Sequence, residues 1–140
     1  MELFNIIPLL LSVFLGFLIG LERESKHKSI GIRTVSLITL GSTIYTLISI
    51  YYFNSDPTRV IAQIVSGIGF LGAGIIFKSG DEVKGLTTAA TVWTSSGIGV
   101  LVGLGLYEIS IISTLLILTI NTLFKYFKYE NYWTWLLYRI

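Results

Sequence analysis

Charged residues are bunched along this chain, and long apolar runs separate the bunches. Leu3 to Leu21, Thr34 to Asn54, Val60 to Phe77, Gly85 to Tyr107 and Ile109 to Phe124 are all free of charge. A helix needs about 20 residues to cross ~30 Å of hydrocarbon. The pattern therefore predicts an all-α, polytopic membrane helix bundle of five transmembrane helices. The fifth run is short, and Lys125 and Lys128 extend it by snorkelling.

The links between runs add local expectations. Only Tyr107-Glu108, with glycines nearby, separates the fourth and fifth spans, which predicts a tight antiparallel hairpin. Asp56-Pro57 reads as a helix start: the aspartate accepts from orphan first-turn N–H groups, and proline lacks a donor where none is needed. Three loop groups set the orientation. Arg23, Lys26, Lys28 and Arg33 follow the first span, Lys78 and Lys84 the third, and Lys125, Lys128 and Arg139 the last. Only Arg59 lies on the other side, so the positive-inside rule puts the N-terminus outside and the C-terminus in the cytoplasm. The first span lacks the basic front end and cleavage site of a signal peptide and reads as retained.

Composition agrees. Of 140 residues, 53% are hydrophobic and 13% charged, against roughly 25% charged in soluble domains; the mean hydropathy is +0.77. A soluble protein this short has too little interior for so much apolar surface, so its main partner is the lipid bilayer. A net charge of +2 with no basic run argues against nucleic acid. There is no cysteine, which excludes disulfides and thiolate metal sites. The lone His27, among Lys26, Lys28 and Glu24, reads as a loop residue. The chain divides into a transmembrane domain, 1–124, and a tail, 125–140. In the tail Tyr126, Phe127, Tyr129, Tyr132, Trp133, Trp135 and Tyr138 suit an interfacial anchor on the cytoplasmic face.

Gly67, Gly69 and Gly72 match G-x-G-x-x-G, but inside an apolar run, not between a strand and a helix, so the dinucleotide reading fails. Close helix packing is the better reading. Gly16 and Gly20 serve it in the first span; Ala62, Ser66, Gly69 and Ala73 form one face of the third. Thr87, Thr91, Ser95, Gly99 and Gly103 repeat every four residues in the fourth. One such face is open to a homo-oligomer seam.

Polar residues at the membrane boundaries are the candidates for function. Glu22, Arg23 and Glu24 close the first span and Arg33 opens the second, which suggests a cytoplasmic ion-pair cluster. Asp56, Arg59 and Gln63 share a face of the third span, with an outer pair between the first two. Ionisable groups at membrane depth are costly and tend to be paired or functional. Magnesium chemistry suits Glu22, Glu24 and Asp56, but the topology sets Asp56 opposite the glutamates. No catalytic arrangement emerges and no cofactor is implied, so the chain reads as a non-enzyme.

Gly-Leu-Glu-Arg-Glu at 20–24, Gly-Ile-Arg-Thr at 31–34, the stretch from Gln63 to Gly74 and that from Lys84 to Trp93 resemble the MgtC/SapB family, and the likeness covers roughly residues 8 to 120. The resemblance implies a bacterial or archaeal inner-membrane protein linked to magnesium homeostasis, in a family associated with virulence. The activity it implies is protein–protein contact, restraint of the F-type ATP synthase. Longer members continue into a soluble ACT-like domain, so the expectation is a short form without regulation through that domain. The leading expectation is a regulator that contacts another membrane protein through Glu22, Arg23, Glu24, Arg33, Asp56, Arg59 and Gln63, with Lys84, Thr87 and Thr88 as further candidates. The alternative is a cation transporter, channel or sensor whose polar path is lined by Gln63, Thr87, Thr88 and Thr91.

Overall fold

A computed structural model describes residues 6–53 and 56–126. Five helices are present: α1 (Ile7–Ser25), α2 (Ile32–Phe53), α3 (Thr58–Ile75), α4 (Leu86–Gly103) and α5 (Tyr107–Tyr126). A hairpin of β1 (Phe77–Ser79) and β2 (Glu82–Lys84) joins α3 to α4. The aromatic tail beyond Tyr126 lies outside the described residues, as do Glu2 at the N-terminus and Asn54.

Helices α2, α3 and α4 are each long and apolar enough to cross a membrane. Helix α1 carries Glu22, Arg23 and Glu24 in its last turns, and the described apolar stretch of α5, Tyr107–Leu123, is shorter. Successive helices reverse direction. The bundle therefore has one end holding the C-termini of α1, α3 and α5 with the N-termini of α2 and α4. Arg23, Lys26, Lys28, Arg33, Lys78 and Lys84 all fall at this end, and Arg59 at the other. That is the partition the loop charges predict.

Local signals explain the boundaries. Pro8 sits in the first turn of α1, where its missing N–H costs nothing. Helix α1 ends in a paired cap: Lys28 N–H donates to Arg23 O and His27 N–H to Glu24 O, with His27 at φ 51°. The loop reading of His27 holds. Between α4 and α5 the same cap recurs around Gly105, at φ 77°, where glycine avoids the Cβ penalty. The tight hairpin of α4 and α5 is as expected, but Leu104 to Leu106 makes the link, and Tyr107 and Glu108 already belong to α5. At α3, Asp56 accepts from Thr58 N–H at 3.0 Å, so the cap acts as expected with the helix opening one residue later.

Helix α4 is the centre of the bundle, with 61% of its span buried. The interior is rich in hydroxyls as well as apolar side chains: Ser12, Thr39, Thr43, Thr46, Ser95 and Thr114 are buried beside Leu15, Ile19, Val35, Val92 and Val102. Most of these hydroxyls bond a carbonyl three or four residues back in their own helix, which satisfies them where no water reaches. Two also cross between helices. Thr39 Oγ1 donates to Ser12 O at 2.9 Å, tying α2 to α1, and Thr43 Oγ1 donates to Gly99 O at 2.8 Å, tying α2 to α4.

Glycines make those approaches possible. A Cβ at Gly20 would stand 2.6 Å from Ile32 Cα, and one at Gly103 would stand 2.6 Å from Thr46 Cβ. A Cβ at Gly16 would clash with Thr39 Oγ1 and stand 2.8 Å from Ser36 Cα, and one at Gly99 would clash with Thr39 O and crowd Ser42. All four are packing residues, as their spacing suggests. The third span departs from expectation. Ala62, Ser66, Gly69 and Ala73 are exposed, and a Cβ at Gly69 meets nothing within 4 Å. The face that packs inward carries Ile68, Gly72 and Ile75 instead, and a Cβ at Gly72 would stand 3.8 Å from Ala89 Cβ. Small-residue spacing identified a face open to close approach, but within the protomer the bulkier isoleucines on the other side fill the contact with α4.

Candidate functional site

The last turns of α1 gather most of the charge. Glu22 is the hub: Arg23 Nε donates to its Oε2 at 2.5 Å and Nη2 to its Oε1 at 2.9 Å, and Lys26 Nζ lies 2.5 Å from the same Oε1. The Arg23 side chain is only 2% exposed. Its Nη1 is buried and has no hydrogen-bond partner in the described structure. Lys26 reaches further and donates to the Asn121 carbonyl of α5 at 2.7 Å. Asn121 Nδ2 in turn lies 3.5 Å from Thr91 Oγ1 of α4. Glu24 turns the other way. Its carboxylate accepts from Ile32 N–H at 3.0 Å, placing negative charge at the N-terminus of α2.

This corrects the expected cluster. Arg33 is exposed and joins no ion pair among the described residues; Lys26 takes that part. The signal was present, since Glu22 and Lys26 stand at i, i+4 on one helix, the spacing that brings opposite charges together. The expected outer pair is likewise replaced. Asp56 is held by the Thr58 hydroxyl and N–H rather than by Arg59. The hydroxyl first, then the N–H, holds its carboxyl below the usual aspartate value.

The remaining candidates scatter. Gln63 lines a groove between α2 and α3. Lys84 lies on the exposed hairpin, 3.5 Å from Glu82. Thr87 is exposed, whereas Thr88 and Thr91 are buried in α4, and Thr91 donates to Thr87 O within the same helix. The structure does not bring Gln63 and these threonines to one polar path. Asp56 lies at the opposite end from Glu22 and Glu24, and no group of three metal-ligating side chains occurs among the described residues. These residues do not fit a resident metal ion. Thr39 and Thr43, whose bonds join three helices, were missed as candidates. Their signal was the run of hydroxyls at 36, 39, 42, 43, 46 and 49, three or four apart along one helix.

An all-α bundle of long apolar helices, closed by glycine contacts and hydroxyl–carbonyl bonds, with its charge at the ends, defines a polytopic membrane protein. The chain belongs to the MgtC family, whose model matches residues 9–129. It is 50% identical over 112 residues to Protein MgtC of Brucella suis biovar 1 (strain 1330), covering 79% of this chain and 47% of that one. It is 47% identical over 120 residues to Protein MgtC of Salmonella typhimurium (strain LT2), covering 86% and 52%. The chain thus spans about half the length of the curated relatives it matches. No solved structure matches it.

Proposed function

We propose that this chain is a non-enzymatic protein of the bacterial inner membrane, linked to magnesium homeostasis, that works by contact with another membrane protein. The observation that carries this reading is the unpartnered side of α3. Only 6% of that apolar span is buried within the protomer, against 61% for α4. Ala62, Ser66, Gly69 and Ala73 face outward, where a partner's backbone can approach closely. Lipid gives no hydrophobic reason to keep such a face small, whereas a helix partner does. The F-type ATP synthase is the candidate partner that the family resemblance supplies.

The test is Gly69→Ile in a strain lacking other members of the family. Nothing in the protomer opposes the new side chain, so yield and melting in detergent stay at the wild-type level. Support of growth in low magnesium is lost. Unchanged growth support in Gly69→Ile combined with Ser66→Ile would sink the reading.

A further inference from the structure

We propose that α3 closes onto α2, so that the groove between them is the open state of a helix with two positions. The groove is lined by positions 34, 37, 38, 41, 42 and 45 of α2 and by positions 60, 63, 64, 67, 68 and 71 of α3. Both sets step along their helix by 3, 1, 3, 1 and 3 residues, the stripe that one helix presents to another. The two helices are antiparallel, so the stripes match end for end, with Thr34 level with Leu71 and Tyr45 level with Val60.

In that register the walls complement each other. Ile38 stands across from Gly67, and Ile64 across from Gly41. A Cβ on either glycine meets nothing within 4 Å, so each isoleucine has an unfilled gap opposite it. Beside the second of these pairs, Ser42 stands across from Gln63. Neither of those side chains makes a hydrogen bond among the described residues. An unpaired amide is costly in hydrocarbon, and closure gives the amide and the hydroxyl each other.

The gap is one side chain wide. Eleven steps of helical rise make it about 16 Å long, and a volume of about 580 Å³ over that length leaves a slot about 6 Å across. A helix with its side chains is about 10 Å across and does not enter such a slot. Interlocking isoleucines and glycines close it. Helix α3 is free to make the movement, because the hydrogen bonds that join the other four helices leave it out. Its core contacts, Ile68 and Ile75, lie in the cytoplasmic half with Gly72, whereas Ile61 and Ile64 of the outer half do not reach the core. Rocking about the cytoplasmic half therefore breaks no polar tie. The inference rests on the two facing stripes and is independent of the partner contact proposed above.

The chain has no cysteine, so an introduced pair reports closure alone. A disulfide needs Cα atoms within about 7 Å, and the empty slot holds positions 38 and 67 further apart than that. In native membranes treated with copper phenanthroline, Ile38→Cys with Gly67→Cys forms an intrachain disulfide about 10-fold faster than Ile38→Cys with Gly69→Cys, on the far face of α3. Gly41→Leu fills the gap facing Ile64 and slows the first crosslink about 10-fold. It leaves melting in detergent unchanged, since nothing in the open state opposes its Cβ. Three outcomes overturn the proposal. Equal rates for the two pairs mean a groove that stays open and filled by lipid. A rate that Gly41→Leu leaves unchanged removes the interlocking register. A disulfide between two chains assigns the groove to a second copy. Should Gly67→Cys fail to fold, Gly41→Cys with Ile64→Cys is compared with Gly41→Cys with Ser66→Cys, and equal rates there overturn the proposal as well.

Discussion

Gly99→Ala asks whether glycine sets the spacing between α2 and α4. A Cβ at Gly99 would stand 2.7 Å from Ser42 Cβ and would press on the carbonyl of Thr39, which is backbone and has no other rotamer. Three contributions set the size of the effect. Alanine in place of glycine within a helix gains up to ~1 kcal/mol of intrinsic preference. Forcing extra volume into a closed contact costs about 1–3 kcal/mol. Pushing the helices apart also strains the 2.8 Å bond from Thr43 Oγ1 to Gly99 O, and interhelical bonds of this kind in membranes average ~0.6 kcal/mol. The net expectation is a loss of about 1–3 kcal/mol. Gly69→Ala is the control, since its Cβ meets nothing and only the favourable helix preference remains, a change of ~0 to 1 kcal/mol in the stabilising direction. Reversible unfolding by sodium dodecyl sulfate in mixed micelles, followed by circular dichroism, measures both variants. If Gly99→Ala unfolds at or above the midpoint of Gly69→Ala, the contact does not set the helix spacing and the reasoning fails.

Two further predictions concern charge. Glu22→Gln leaves the buried Arg23 with its main partner gone and destabilises the protein by about 3 kcal/mol, whereas Glu22→Gln with Arg23→Met recovers much of that loss and Arg33→Gln changes stability by less than ~0.5 kcal/mol; additive losses at positions 22 and 23 would refute the pair. At the other end, the depressed Asp56 carboxyl adds stability that is present above the ordinary aspartate value and fades as pH falls through its lower folded value. Thr58→Val removes the hydroxyl donor, so carboxyl-carbon NMR should show Asp56 titrating closer to the ordinary value; an identical titration in both proteins would contradict the assignment.

The spans were legible because lipid tolerates so little: a helix exposed to hydrocarbon must be long and uncharged, and the runs at 34–54, 60–77 and 85–107 satisfy that on inspection. The Gly16, Gly20, Gly99 and Gly103 contacts were legible for a similar reason, since lipid gives no other cause to place glycines four apart. What the pattern did not carry was direction. In α3 the small residues at 62, 66, 69 and 73 mark a face open to close approach, yet nothing in their spacing says whether the approaching helix is α4 or another chain. The hairpin at 77–84 was missed because three-residue strands leave no periodicity. Its one signal is Gly80-Asp81 between Phe-Lys-Ser and Glu-Val-Lys, with Gly80 at φ 62° in a two-residue turn. The charge cluster was placed at the right end but given the wrong cation. Proximity in sequence favoured Arg33 across the loop, while the i, i+4 geometry of one rigid helix favoured Lys26.

The internal ties are unevenly shared among the helices, and this bears on where the protein meets its surroundings. Within five residues of α1 and its cap, Glu22 gathers Arg23 and Lys26, Glu24 caps α2, and Lys26 bonds α5. Thr39 and Thr43 then fasten α2 to α1 and α4 by bonds made at membrane depth, where water does not compete. Helix α3 takes part in none of these. It meets α4 through Ile68, Gly72 and Ile75, and Gly85 packs on the Ile75 carbonyl where the hairpin returns. It stands off α2 along the groove. A helix held on one side by apolar packing has two free sides to offer the membrane. On α3 one is small-residue and outward, open to close approach by another helix, and the other faces the groove. Lys26, Glu24, Thr39 and Thr43 tie the other four helices to one another and leave α3 outside that set of bonds.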